Sequence, residues 1–237
     1  MTEIAGVLFD KDGTLLDFEA TWGPSTAAVL ADLAAGDAAC FSDMAQAAGF
    51  LPDTLGFTAD SPIIAGATSD FAPAWAERMG VAHDAAFDDR VNRLYRETSL
   101  ASLTGYPDVG AILDELAAAG ITVGLATNDS EANARAHLRA LGLADHFGFV
   151  AGYDSGFGAK PGPGMVEAFA RHVGVLPGRV ALVGDSSHDI DAAKAAGALA
   201  IGIARTEQAA MALGTLPDRT VRGMDELMAL LREHAPG

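Results

Sequence analysis

Cysteine and lysine are the scarce residues of this chain. Its 237 residues hold one cysteine, Cys40, which excludes an internal disulfide and reads as a small buried hydrophobe. Three lysines occur, Lys11, Lys160 and Lys194, and 15 basic against 32 acidic residues give a net charge of −17. With no basic face to meet a phosphate backbone, nucleic acid is excluded as a partner. No apolar run reaches the ~18 residues that span a bilayer, so no membrane partner is expected either. The N-terminus, Met1-Thr2-Glu3, carries no basic segment ahead of its apolar run, and that run ends in acids. It reads as a first strand rather than a signal peptide, and a cytoplasmic location follows by default. Nothing in the composition speaks to oligomeric state.

What is present describes a globular protein. Hydrophobic residues make up 50% and charged residues 20%, and the length suits one sizeable domain with a smaller insert. Strands are expected at 4–10, 121–128, 147–154, 179–185 and 199–204, with helices at 131–141, 163–173 and 190–196. This alternation predicts an α/β fold, a Rossmann-like parallel sheet with helices on both faces. Between the first strand and Ile121 the pattern breaks. Residues 18–101 are Ala-rich with helix-like apolar spacing and no convincing buried strand, and Pro24, Pro52, Pro62 and Pro73 are expected to divide them into several helices. The expected domains are a core of 1–17 and 102–237 and an inserted α-helical unit of 18–101. Pro107 suits a helix start, Gly120 that helix's end, and residues 224–233 a final amphipathic helix.

The chemistry concentrates at strand ends. The first strand stops in Asp10-Lys11-Asp12-Gly13-Thr14. Side chains alternate along a strand, so Asp10 and Asp12 are expected on one side and Lys11 on the other. Ligands bind at the carboxyl ends of strands in open α/β sheets. Two neighbouring carboxylates there repel unless a metal or a shared proton relieves them. The bland alternative is an acidic Asp-Gly turn. Three later segments add what the acid pair lacks: a strand ending in Thr127-Asn128-Asp129, Lys160-Pro161-Gly162-Pro163 before a helix, and a strand ending in Asp185-Ser186-Ser187-His188-Asp189.

In this order the four segments resemble the motifs of the haloacid dehalogenase superfamily, whose members are mostly phosphatases using an aspartate nucleophile and magnesium. The resemblance runs from about residue 4 to about 205, with residues 18–101 matching a C1-type cap by position and length. It implies that Asp10 attacks phosphorus to form an aspartyl-phosphate. Asp12 would protonate the leaving oxygen and later take a proton from water, while its backbone carbonyl ligates Mg2+ beside Asp10 and Asp185. Hard oxygen ligands suit that ion. Asp189, one helical turn on, would ligate through water or hold Asp185 in place; its alternative is a helix-start acid facing the dipole. Thr127 and the backbone N–H of Asn128 would hold phosphate oxygens, and Lys160 would neutralise charge on the phosphoryl group and the nucleophile. Thr14 either fixes the turn or is a plain turn hydroxyl. The expected partner is a small phosphorylated metabolite. The net charge repels it at long range, so the cation and Lys160 must reverse the field locally.

Other residues stay close to ordinary readings. His188 is placed at the rim, His137 and His146 at the surface or boundary, and Asp17 at the hinge. The insert's arginines 78, 90, 93 and 96 read as helix-surface ion pairs. Within the superfamily, Asp12 disfavours the hydrolytic dehalogenases, and the lysine-free insert disfavours phosphonatases, which need a Schiff-base lysine there. β-Phosphoglucomutase-like enzymes carry a histidine near the hinge, and 18–22 has none. The remaining reading is a phosphomonoester hydrolase. Asp-Gly-Thr-Leu-Leu-Asp and Tyr106-Pro107-Asp108-Val109 resemble phosphoglycolate phosphatases. The alternatives are a phosphotransferase or mutase of the same superfamily, a receiver-type domain, or a catalytically silent phospho-ligand binder.

Overall fold

A computed structural model describes residues 3–233 of the chain. They fall into two units, one joining the chain up to Leu16 to the chain from Gly105 onward, the other running from Asp17 to Thr104. In chain order the first strand is β1 (Gly6–Phe9), and the second unit follows with α1 (Phe18–Ala34), α2 (Ala38–Ala47), β2 (Phe50–Leu51), β3 (Gly56–Phe57), α3 (Pro62–Ala65), α4 (Thr68–Met79) and α5 (Ala85–Ser99). The first unit resumes with α6 (Val109–Ala118), β4 (Thr122–Ala126), α7 (Glu131–Ala140), β5 (Phe149–Ala151), α8 (Gly164–Val173), β6 (Val180–Gly184), α9 (Ser187–Ala196), β7 (Leu199–Ile203), α10 (Glu207–Leu213), β8 (Arg219–Val221) and α11 (Met224–Arg232).

The six strands of the first unit form one parallel sheet in the order β5-β4-β1-β6-β7-β8. Parallel strands need helical crossovers, so helices cover both faces and both must be apolar. Val7 and Phe9 of β1 pack with Leu125, Val183 and Ile201 against Ile112, Leu113 and Leu116 of α6 and Leu227 of α11. Leu8 faces the other way, toward Phe169 of α8 and Ile190 of α9. Phe169 lies directly over the strand backbone. A Cβ on Gly124 would come within 2.6 Å of its ring, so glycine there makes room for an aromatic worth about 1.5–3 kcal/mol of burial. Strand β8 was not expected from sequence; with two of its three residues exposed, it lacks the apolar run that marks a buried strand.

The second unit has its own core, with Trp22, Leu30, Met44, Phe71, Trp75 and Tyr95 packed together. Trp75 is fully buried and its Nε1 donates to the Met44 carbonyl at 3.1 Å. Three expectations are corrected here. Pro24 and Pro73 lie inside α1 and α4 and end neither helix. The unit is also not purely helical, because β2 and β3 pair as a short antiparallel hairpin, too brief to leave a periodic signal. Cys40 is half-buried rather than buried. Among the described residues no helix is long and apolar enough to cross a membrane.

Candidate active site

Sheet register assembles the site. Phe9 at the end of β1 stands opposite Leu125 of β4 and Val183 of β6, and the Asp10 N–H continues the ladder to the Val183 carbonyl at 2.8 Å. Asp10, Thr127 and Asp185 therefore emerge together at the carboxyl edge of three adjacent strands. The chain leaves β1 toward β4 and β5 on one side and returns as β6 on the other. The gap between β1 and β6 is thus the topological switch point, where α/β sheets bind ligands.

Lys160 reaches this point from the loop before α8. Its Nζ donates to Asp10 Oδ1 and Asp189 Oδ1, each at 2.6 Å, and to the Ala126 carbonyl at 3.0 Å. The loop is fastened by Asn128, whose amide donates to the Lys160 carbonyl and whose Oδ1 accepts from the Lys160 N–H, both at 2.9 Å. Sequence reasoning gave Asn128 only a backbone role and missed this clamp. Asp189 uses its second oxygen at the start of α9, accepting from the Ser186 N–H at 3.1 Å and Oγ at 2.6 Å. Its carboxylate thus closes a capping box and holds Lys160. That differs from the expected contact with Asp185.

Asp185 sits against the turn after β1. Gly13 has φ of 74°, and a Cβ there would fall 1.9 Å from Asp185 Oδ2, so both backbone and space demand glycine. Carboxylate oxygens of Asp10, Asp185 and Asp189 lie within 4.8 Å of one another. Burial pushes the Asp10 carboxyl up to about 7, against the pull of Lys160 and with the push of Asp189 and Asp12. Burial, then Asp10 and Asp189, hold Asp185 well above the usual carboxylate range. Burial also opposes the charge on Lys160, but Asp10 and Asp189 outweigh it and raise its pKa. Asp189 is already committed to three donors, the Lys160 ammonium and the Ser186 N–H and Oγ, while the Asp185 side chain makes no protein hydrogen bond among the described residues. A hard divalent cation fits that oxygen-only donor set, with Asp10 and Asp185 as the acids able to hold it.

A second buried lysine lies behind the first turn. Lys11, expected to point away from the acids, is 1% exposed. Its Nζ reaches Asp129 Oδ2 at 2.6 Å, Asp12 Oδ2 at 3.1 Å and His137 Nδ1 at 3.2 Å. Strand alternation fails there because β1 ends at Phe9, and the turn beyond it lets Lys11 and Asp12 face each other. His137 is likewise not a surface residue but wholly buried. Burial, helped by the Lys11 charge, pushes its pKa down to about 2, so the ring is neutral. The helical spacing of Ala134, His137 and Leu138 on one side of α7 was the available signal.

The remaining residues frame the site. Thr127 is buried and its Oγ1 accepts from the Asp129 N–H at 3.0 Å. Thr14 Oγ1 is buried with no hydrogen-bond partner among the described residues. The Thr14 carbonyl accepts from Arg205 at 3.0 and 3.1 Å, and Arg205 also grips Asp108 and stacks on Tyr106, 3.8 Å from the ring centroid. Sequence reasoning missed Arg205, a lone arginine in a loop. Asp17 caps α1 through Ala20 N–H, His188 is half-buried, and His146 approaches Asp114 at 3.8 Å. Arg78 and Arg90 make surface pairs with Glu77 and Asp32.

Acids and lysines at the switch point of a parallel sheet define a class before they define a reaction. The family model for haloacid dehalogenase-like hydrolases matches residues 4–197. The chain belongs to that family. It is 40% identical over 130 residues to a phosphoglycolate phosphatase of Rhodospirillum rubrum, covering 54% of each chain. It is 31% identical over 225 residues to a phosphoglycolate phosphatase of Shigella boydii, covering 85% of this chain and 81% of that one. Most of these matches extend over about half the length of the curated relatives. Among solved structures, a HAD phosphatase of Thermococcus onnurineus superposes with a TM-score of 0.64 at 25% identity, covering 98% of both chains.

Proposed function

We propose that the protein is a Mg2+-dependent phosphatase acting on a small phosphomonoester, of which phosphoglycolate is the foremost candidate. The observation that carries this reading is the triad of Asp10, Lys160 and Asp185 at the β1/β6 switch point, together with phosphoglycolate phosphatases as relatives. In this reading Asp10 is the nucleophile. Its oxygen attacks phosphorus in line, the bond to the leaving oxygen breaks, and an aspartyl-phosphate forms and is then hydrolysed. Asp12 gives the leaving oxygen a proton and later removes one from the attacking water. Lys160 offsets charge on the nucleophile and phosphoryl oxygens, with Asp189 and Asn128 keeping it in place. Thr127 and the Asn128 N–H hold the peripheral oxygens. Asp10, the Asp12 carbonyl and Asp185 would hold Mg2+, which when bound would supply charge that keeps Asp10 ionised and polarises the phosphate. The Asp17–Thr104 unit is read as a C1-type cap that sets substrate choice.

The test is steady-state phosphate release from a panel of phosphomonoesters that includes phosphoglycolate, with Mg2+ or EDTA, for wild type and Asp10→Asn. Loss of at least about 10³-fold is expected without metal or without the Asp10 carboxylate. Turnover that survives either change would refute the reading, and a single phosphorylation per chain without turnover would favour a silent binder.

A further inference from the structure

We infer that Lys11 is a positioning residue, which with Asp129 and His137 behind it holds the Asp12 carboxyl in the orientation needed to serve the leaving group. The inference rests on the phosphatase reading above and adds to it a component that acts through Asp12.

The cluster is built outward from a helix start. Ser130 caps α7, and its N–H fixes Asp129 by donating to Oδ1 at 2.7 Å. Asn133, one helical turn along, donates to Asp129 Oδ2 at 2.8 Å. The same oxygen accepts Lys11 Nζ at 2.6 Å. An ammonium has three donors and no acceptor, and three acceptors surround this one: Asp129, His137 Nδ1 and Asp12 Oδ2. His137 must then carry its proton on Nε2 if it is to accept at Nδ1. A neutral acceptor suits the place, since a third carboxylate would add charge and a protonated ring would repel the lysine. The result is a chain of contacts from α7 through Asp129 and Lys11 to Asp12, with Lys11 and His137 fully buried and Asp129 13% exposed in its side chain.

This arrangement answers a need that strand geometry leaves open. Asp12 lies beyond the end of β1, at an isolated bridge to Leu16, so the sheet does not set its side-chain torsions, and its carboxyl is 15% exposed. A general acid works only within hydrogen-bond reach of the oxygen it protonates. Lys11 Nζ holds Asp12 Oδ2 at 3.1 Å and so fixes the plane of the carboxyl. In the step concerned, the Asp10–phosphorus bond forms, the phosphorus–oxygen bond to the leaving alcohol breaks, and the Asp12 proton passes to that alcohol oxygen.

Leaving-group dependence separates positioning from simple support of the fold. An alkyl phosphomonoester such as phosphoglycolate expels an alkoxide that must be protonated, whereas 4-nitrophenyl phosphate expels a stable phenolate. For Lys11→Met, kcat/KM on the alkyl ester is expected to fall about 10- to 100-fold and on the aryl ester less than about threefold, a pattern shared with Asp12→Asn. Equal losses on both esters, or none on either, would overturn the inference and leave the phosphatase reading standing. A wild type inert on both esters would instead sink that reading and the inference with it. Because Lys11→Met removes the cation shared by Asp12 and Asp129 and so tests the fold as well, Asp129→Asn, which keeps shape and removes charge, is measured in parallel after its folding is checked by thermal denaturation. The same selective loss is expected from it, and a uniform loss would count against the proposal.

Discussion

Lys160 and Lys11 are both buried and both bridge two carboxylates, yet they sit in opposite situations. Lys160 spans Asp10, just past the end of β1, and Asp189, in the first turn of α9, so its ammonium lies at the carboxyl edge of the sheet. Lys11 spans Asp12 and Asp129 and is backed by His137, so its ammonium faces the interior of the unit. On the phosphatase reading, the first ammonium answers charge that develops on the nucleophile and the phosphoryl group, and the second holds in place the acid that serves the leaving oxygen. Burying a charged pair rarely gains stability over an apolar packing of the same volume. Two such pairs within a few residues of one another therefore point to function as what they serve.

The sharpest way to break the comparison is Lys160→Met. It is expected to lower kcat by about 10²- to 10³-fold on alkyl and aryl phosphates alike, in contrast to the selective loss at Lys11. Assays with both esters check this, and a leaving-group preference at Lys160 would erase the distinction between the two lysines.

The clusters should also differ in how pH acts on stability. Asp10 has a folded pKa raised to about 7 from 3.8, so in metal-free protein its contribution is complete below pH 3.8 and is lost as pH rises toward 7. His137 has a folded pKa lowered to about 2 from 6.5, so its contribution is complete above pH 6.5 and is lost as pH falls. The two oppose each other between pH 4 and 6.5. Urea unfolding in EDTA across that window is expected to give differences from wild type of opposite slope. The stability of Asp10→Asn relative to wild type rises with pH and that of His137→Gln falls, each by up to about 1.4 kcal/mol per pH unit. Slopes of the same sign would contradict the assignment.

The smallest effect lies in the second unit. Arg90 pairs with Asp32 at 3.1 Å with both side chains about half exposed. Arg90→Ala is expected to change unfolding free energy by less than about 1 kcal/mol, and a larger loss would show that burial is not what separates the important pairs from the others.

The two clusters also mark how far the sequence could be read. The parallel sheet was legible because buried strands leave apolar runs, and Asp10, Asp185 and Lys160 were legible because each stands where such a run ends or a helix is about to begin. Lys11 and His137 were misplaced for a physical reason. Alternation holds only while the backbone is extended, and the chain leaves that conformation at Asp10. His137 required following one helix face across from a residue more than a hundred positions away. The proline-broken insert failed differently, because α1 and α4 accommodate Pro24 and Pro73 within them and tertiary packing overrides a local breaker. Strand β8 has too little apolar character to be seen at all.

The way the second unit joins the chain has its own consequence. Leu16 and Gly105 pair as an isolated bridge, and the Asp17 N–H donates to the Thr104 carbonyl at 2.9 Å. The entire insert thus leaves and returns at one point on the backbone, like a page held by a single staple. Such a module can be lengthened, shortened or exchanged without shifting the register of the parallel sheet. On the phosphatase reading the groups assigned to the reaction all lie outside it, so changes within the insert would leave the chemistry in place.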